Sequence, residues 1–369
     1  MNTIPHLLRS ATIAWLTAAA ASAIAQAPVC TASPAPDCLY VPVASYGVTS
    51  FTRSVAYTDN AGSQRAVEVL IRQALGAPLP MPVVIWSHGG TDGKRNPAKS
   101  MAEWSELGAR AGYFSISVAH APRDDASREA LCQSIGMDSA ACRLFSHLNW
   151  DRPHDIRAVL DELDRMAAGE FRGQIDTAKV AVGGHSAGSA GAQTVAGARR
   201  DFARPPGHLS DPRPIAFLAF SPHQPGISGF FDTHFQEPGH SWTDVQRPML
   251  TATGDGDDGC EPTAAPGACI GDTPFGRRIG FQRMPATGNK YHLYLHDADA
   301  FHMLFELNAK ECPAKNVDAA KCAEIVRWLS STALAFLDGH VRQLPAALQW
   351  LQSNRIERAS GGIAEWQRK

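Results

Sequence analysis

The run Lys179-Val180-Ala181-Val182-Gly183-Gly184-His185-Ser186-Ala187-Gly188 leads from an apolar, strand-like segment into the small residues of 189–197. A Gly-x-Ser-x-Gly pentapeptide is a common pattern on its own. Between a strand and a helix it becomes a nucleophile elbow, a tight turn that lifts a serine hydroxyl clear of its own backbone. Both flanking positions take glycine there because a Cβ would clash. Ser186 is therefore the candidate nucleophile, and 178–183 is expected to be a buried strand.

Outward from that turn the alternation of strand and helix continues. Val83-Val84-Ile85-Trp86 is a continuous apolar run suited to a strand covered on both faces, followed by a helical stretch over 100–111 and a second buried run over 113–118. Asp151-Arg152-Pro153 opens a helix over 154–166 whose Ile156, Val159, Leu160 and Leu163 share one face. Downstream come strands over 214–220, 248–253 and 291–295, then a helix over 319–336. Segments 45–57 and 66–73 alternate as antiparallel strands do. The pattern predicts an α/β fold, a mostly parallel sheet with helices on both faces. Segments 122–149, 221–247 and 258–289 are rich in Pro, Gly and Cys. They are expected as disulfide-clipped insertions at the carboxyl edge of the sheet, where open α/β sheets bind ligands. One catalytic domain is expected over 43–342, with 343–369 as a C-terminal helix and tail.

Composition sets broader bounds. With 44% hydrophobic residues, 19% charged residues and a formal net charge of −2, the chain is ordinary globular material. No long basic run marks a nucleic-acid or membrane-surface partner, so a small molecule is expected. Arg9, the apolar stretch 11–20 and the small residues Ala23-Ile24-Ala25 or Ala25-Gln26-Ala27 have the form of a signal peptide over 1–27, ahead of a Pro-rich leader over 28–42. That predicts a secreted or periplasmic protein with no stable membrane insertion after cleavage. The eight cysteines fall into neighbouring pairs, Cys30-Cys38, Cys132-Cys142, Cys260-Cys269 and Cys312-Cys322, which together with export predicts four short-loop disulfides. None has the C-x-x-C spacing of a zinc site, and neither a metal nor another cofactor is expected.

A serine hydroxyl needs a histidine base, and the base a carboxylate to orient it. In chain order the acid and then the histidine should follow the elbow. The strand over 248–253 runs into Gly254-Asp255-Gly256-Asp257-Asp258, where Asp257 is the first choice, Asp255 the second and Asp258 the third. After the strand over 291–295, His302 lies in the loop where the base is expected, with His296 as the fallback. Donors for a developing oxyanion are expected from the backbone of Ala187, at a helix N-terminus, and from the Ser87-His88-Gly89-Gly90 turn, with Gly90 ahead of Thr91. Trp242, Phe230, Phe231 and Phe301 are candidates to line an apolar acyl pocket or to pack.

With those residues in place the chain resembles α/β-hydrolases of the bacterial dienelactone-hydrolase-like and platelet-activating-factor-acetylhydrolase-like group. The likeness runs over roughly residues 82–305, through Ser87-His88-Gly89, Asp151-Arg152-Pro153 with Asp155-Ile156, the elbow pentapeptide, 254–257 and His302. It implies the α/β-hydrolase fold, a Ser186, Asp257, His302 triad and hydrolysis of a small-molecule carboxylic ester. Ala187 stands where such elbows often carry phenylalanine, and a serine nucleophile argues against dienelactone hydrolysis itself. A serine peptidase or amidase would use the same triad, and a binding protein on a hydrolase scaffold is the rival from another class.

Overall fold

A computed structural model describes residues 38–59, 61–90, 96–136, 142, 146–199, 209–225, 241–259, 261–262 and 269–369. The expected signal peptide and most of the leader lie outside the described residues.

The two alternating segments form a hairpin, β1 (Gly47–Thr58) and β2 (Gln64–Leu75), paired antiparallel. The apolar runs then become strands separated by helices: β3 (Met81–Ser87), α1 (Ala102–Arg110), β4 (Phe114–Ala119), α2 (Asp125–Ser134) and α3 (Arg152–Ala168). They are followed by β5 (Ile175–His185), α4 (Ala187–Ala196), β6 (Pro214–Phe220) and β7 (Met249–Gly254). A two-residue pair, β8 (Glu261–Pro262) and β9 (Cys269–Ile270), precedes α5 (Pro274–Arg283), β10 (Lys290–Leu295) and α6 (Ala319–His340). The chain ends in α7 (Pro345–Leu351), α8 (Arg355–Ala359) and β11 (Ala364–Arg368).

The nine-stranded sheet has the order β1-β2-β4-β3-β5-β6-β7-β10-β11. From β4 to β10 every neighbouring pair is parallel, while β2 and β11 join antiparallel at the two sides. All seven residues of β3 are buried, because alternate side chains enter different layers. Val84 and Trp86 pack with Trp104 of α1 and with Trp328 and Phe336 of α6. Val83 and Ile85 pack with Ile156, Val159 and Leu160 of α3 and with Val195 of α4. Each fully buried large side chain contributes about 1.5–3 kcal/mol of transfer free energy, so both faces of the central strands are anchored.

Chain order reverses between β3 and β5: β3 is followed outward by β4, whereas β5 lies on its other side and leads on to β6 and β7. Loops leaving the carboxyl ends of such a pair part in opposite directions and leave a crevice. The elbow and the His88-Gly89-Gly90 turn leave the sheet at this place.

Two of the expected disulfides, Cys132-Cys142 and Cys312-Cys322, are formed. Cys38 is also disulfide-bonded, whereas Cys30 and Cys260 lie outside the described residues. The tail over 343–369 does more than was expected of it. Besides two short helices it supplies β11, which pairs with β10 from Tyr291↔Arg368 to Leu295↔Ala364 and places Trp366 against Tyr291. Among the described residues, no helix is long and apolar enough to cross a membrane.

Candidate active site

Ser186 stands between β5 and α4 with φ 51° and ψ −121°, a backbone that a non-glycine residue adopts only when its surroundings impose it. The imposing contacts are backbone on backbone. A Cβ at Gly184 would come within 2.3 Å of the Gly188 carbonyl group, and one at Gly188 within 1.9 Å of Ser87 O. Ser186 N–H donates to Phe220 O at 3.0 Å, tying the turn to β6. Phe220 is itself stacked on Trp104 at 4.3 Å between ring centroids, so the turn rests on a rigid aromatic floor. Ala187 is the first residue of α4, and its N–H has no acceptor within the helix.

Asp257 and His302 are brought together. His302 Nδ1 lies 2.8 Å from Asp257 Oδ1, with the carboxylate fully buried and the imidazole one-third exposed. Thr253 Oγ1 donates to Asp257 Oδ2 at 2.8 Å, so both carboxylate oxygens are engaged. The turn carrying Asp257 and the loop carrying His302 interlock: Gly256 N–H donates to Asp297 O, and a Cβ at Gly256 would lie 2.1 Å from Ala298 O. The base is anchored below by buried Phe301, Leu304 and Phe305, while Trp104 Nε1 donates to Phe305 O at 2.9 Å. The other two carboxylates of the turn face elsewhere. Asp255 is exposed and accepts from Tyr294 Oη at 2.6 Å, and Asp258 is exposed. His296 is bound to Glu365 at 2.9 Å, away from Asp257.

His302 and the elbow meet through His185. His185 Nε2 is 3.0 Å from His302 O, and the two rings lie 4.4 Å apart. Among the described residues, Ser186 Oγ makes no hydrogen bond to His302. The hydrogen bonds of that ring to Asp257 and Ser221 both use Nδ1, which leaves Nε2 as the nitrogen not committed to Asp257.

On the other side of the serine, a Cβ at Gly89 would sit 3.0 Å from Ser186 Cβ, so this loop borders Ser186 directly. Gly90 has φ 81°, a left-handed conformation that suits glycine. Its carbonyl accepts from Arg152 Nη2 at 2.6 Å. Thr91 lies outside the described residues.

Three participants carry no sequence signal of their own. Ser221, at the end of β6 with φ 48°, donates from Oγ to Asp257 Oδ1 at 2.8 Å and lies 2.7 Å from His302 Nδ1. Arg277 of α5, buried, donates from Nε to Asp257 O and from Nη1 to the Ser221 and Pro222 carbonyls. Arg152 is fully buried beneath the Gly89-Gly90 turn. The sequence marked Arg152 only as part of the Asp151-Arg152-Pro153 helix start and of the resemblance, with no role of its own. Asp151 does not cap the helix; its carboxylate pairs with Arg123 at 2.7 Å.

Trp242 is not a pocket residue: it is completely buried and donates from Nε1 to Gln193 Oε1 at 2.6 Å. Phe301 packs in the core, and Phe230 and Phe231 lie outside the described residues. A cleft of about 610 Å³ opens beside the His302 turn, lined by Met303, Asn308 and Lys310 on one side and by Asn96, Lys99 and Glu103 on the other. Among the described residues, no group of three or more His, Cys, Asp or Glu side chains is arranged to hold a metal ion.

Comparison of the chain with protein-family models finds no match, and neither does comparison with curated proteins.

Proposed function

We propose that the protein is an exported serine hydrolase that cleaves carboxylic esters, built on an α/β-hydrolase fold similar to that of the dienelactone-hydrolase-like and platelet-activating-factor-acetylhydrolase-like enzymes. The observation that carries this reading is the 2.8 Å contact of His302 Nδ1 with buried Asp257, at the same sheet edge as a serine held at positive φ. Asp257 orients His302, whose Nε2 takes the proton as Ser186 attacks the acyl carbonyl. The N–H of Ala187 and an N–H of the 88–90 loop, Gly90 being the first choice, stabilise the oxyanion. His302 then protonates the departing alkoxide, and water, activated by the same histidine, releases the acid from the acyl-enzyme. The disulfides support an oxidising compartment.

The test is a panel of p-nitrophenyl esters of increasing acyl length, run beside matched anilides and lactones. Ester turnover is expected, together with fluorophosphonate labelling at Ser186. Ser186→Ala should lose on the order of 10⁴-fold or more in kcat and all labelling. A folded Ser186→Ala protein with near wild-type turnover would remove the reading, and anilide cleavage outpacing ester cleavage would move it to an amidase.

A further inference from the structure

Beneath the Gly89-Gly90 turn lies a second chain of serine, histidine and aspartate. Ser87 Oγ is 2.8 Å from His120 Nε2, and His120 Nδ1 is 2.9 Å from Asp155 Oδ2. Ser87, His120 and Asp155 are all completely buried, so no substrate reaches them and the arrangement is not itself a catalytic centre. Asp155 also accepts from Tyr57 Oη at 2.6 Å and from Arg65 Nη2 at 3.2 Å, which keeps it ionised. Burial pushes His120 down to about 4, so the ring is neutral. Its Nδ1–H then donates to Asp155, and its Nε2 accepts the Ser87 hydroxyl proton. The relay fastens the last residue of β3 to the end of β4 and to α3.

The loop that follows is held by its carbonyls. Arg152 Nη1 donates to His88 O, Arg152 Nη2 donates to Gly90 O at 2.6 Å, and His88 Nδ1 donates to Gly89 O at 2.6 Å. Nε2 of His88 in turn accepts the His120 N–H at 3.3 Å. Three successive carbonyls are thus engaged. In a trans peptide the N–H of one residue points opposite the C=O of the residue before it, so fixing the His88 and Gly89 carbonyls fixes the direction of the Gly89 and Gly90 N–H groups. Carbonyl oxygens turned toward a developing oxyanion would repel it; N–H groups stabilise it.

We propose that Arg152, together with the Ser87–His120–Asp155 relay, positions the oxyanion loop, aiming the N–H groups of Gly89 and Gly90 at the acyl oxygen beside Ser186. These are positioning residues, and the inference rests on the reading of Ser186 as the nucleophile. It also gives a physical role to the Asp151-Arg152-Pro153-His154-Asp155 segment: Arg152 grips the loop and Asp155 terminates the relay on the same helix.

The test compares Arg152→Ala and Arg152→Lys with wild type in three readouts. On a short-chain p-nitrophenyl ester kcat should fall about 10²-fold, as expected for a misplaced oxyanion donor, with KM changed less than about threefold. Affinity for a trifluoromethyl ketone, whose serine adduct carries an oxyanion, should weaken in parallel, and guanidinium added to Arg152→Ala should restore part of kcat. Hydrogen exchange of the peptide spanning 86–90 should accelerate in both variants. Should Arg152→Ala fail to fold, Arg152→Lys carries the test, and Ser87→Ala, a single-hydroxyl change expected to lower kcat about tenfold, carries it should both fail. Folded Arg152→Lys with wild-type kcat and unchanged loop exchange would overturn the proposal. If the wild-type protein hydrolyses no ester, the functional reading falls by itself. Loop exchange then decides the bracing independently: acceleration sustains it and no change removes it.

Discussion

Ser221 shows how much of the site hangs on one hydroxyl. It bonds Asp257 Oδ1 and lies within hydrogen-bond distance of His302 Nδ1, so acid, base and serine form a closed triangle. Removing the hydroxyl leaves the carboxylate with His302, Thr253 and the neighbouring Arg277 guanidinium, 3.3 Å from Oδ1. A hydrogen bond to a charged group contributes about 1.5–3 kcal/mol. We therefore expect Ser221→Ala to lower kcat by about 10- to 100-fold. Asp257→Asn should cost about 10⁴-fold, because an amide N–H donates to Nδ1 and holds the imidazole in the wrong tautomer. Asp255→Asn and Asp258→Asn should stay near wild type, since both side chains are exposed and Asp255 faces Tyr294. Kinetics on the four variants rank the carboxylates; a crippled Asp255→Asn beside an active Asp257→Asn would move the acid two residues upstream.

Among the elements, the elbow depends on the approach of α4 to the end of β3. Alanine in place of an ordinary helical glycine stabilises by up to about 1 kcal/mol. At Gly188 the added methyl would lie 1.9 Å from Ser87 O, a backbone atom fixed in the sheet, so the sign should reverse. We expect Gly188→Ala to destabilise by about 2–4 kcal/mol in denaturant unfolding, with activity lost in step as Ser186 moves from the 88–90 loop. A neutral or stabilising result would mean that the two elements are not packed this closely. The elbow was legible in the sequence because strand, turn and helix are consecutive, as are the apolar runs that became β3 to β7. Arg152, Ser221 and Arg277 were not, because each acts on partners tens of residues away: Arg152 on Gly90, Arg277 on Ser221 and Asp257. Nor was β11 legible. Ala364-Glu365-Trp366-Gln367-Arg368 is short and largely polar, and becomes a strand through its register with β10. Trp242, which the sequence left open between pocket and packing, lies in the core.

Taken as a whole, the molecule buries an unusual number of histidines, and that sets its response to acid. Burial holds His120 down to about 4, His292 to about 3 and His340 to about 4, against 6.5 for the free side chain. Each is neutral in the folded protein at pH 5, where the unfolded chain would bind its proton. Folding stability from these three is therefore complete above about pH 6.5 and is lost as pH falls toward 4. One group opposes them: burial raises Asp151 to about 6, so over the same interval the folded state binds a proton that the unfolded state does not. Three protons favouring the unfolded state, with His154 and His223 shifted the same way by burial, against one favouring the folded leaves a net uptake of at least about two on unfolding near pH 5, a slope of about 3 kcal/mol per pH unit. Below that, Asp59, Asp155, Asp211 and Asp272, whose pKa values are held low by arginine and histidine partners against the cost of burial, add further loss. We expect the thermal midpoint to be flat above about pH 7 and to fall steeply between pH 6 and 4. His292→Gln, which removes one of the three buried imidazoles at a position bonded to Thr251 and away from the active site, should shallow that slope by about one proton. Calorimetry across pH 4–8 measures both; a midpoint that rises on acidification through this window would show that the histidines are not buried neutral.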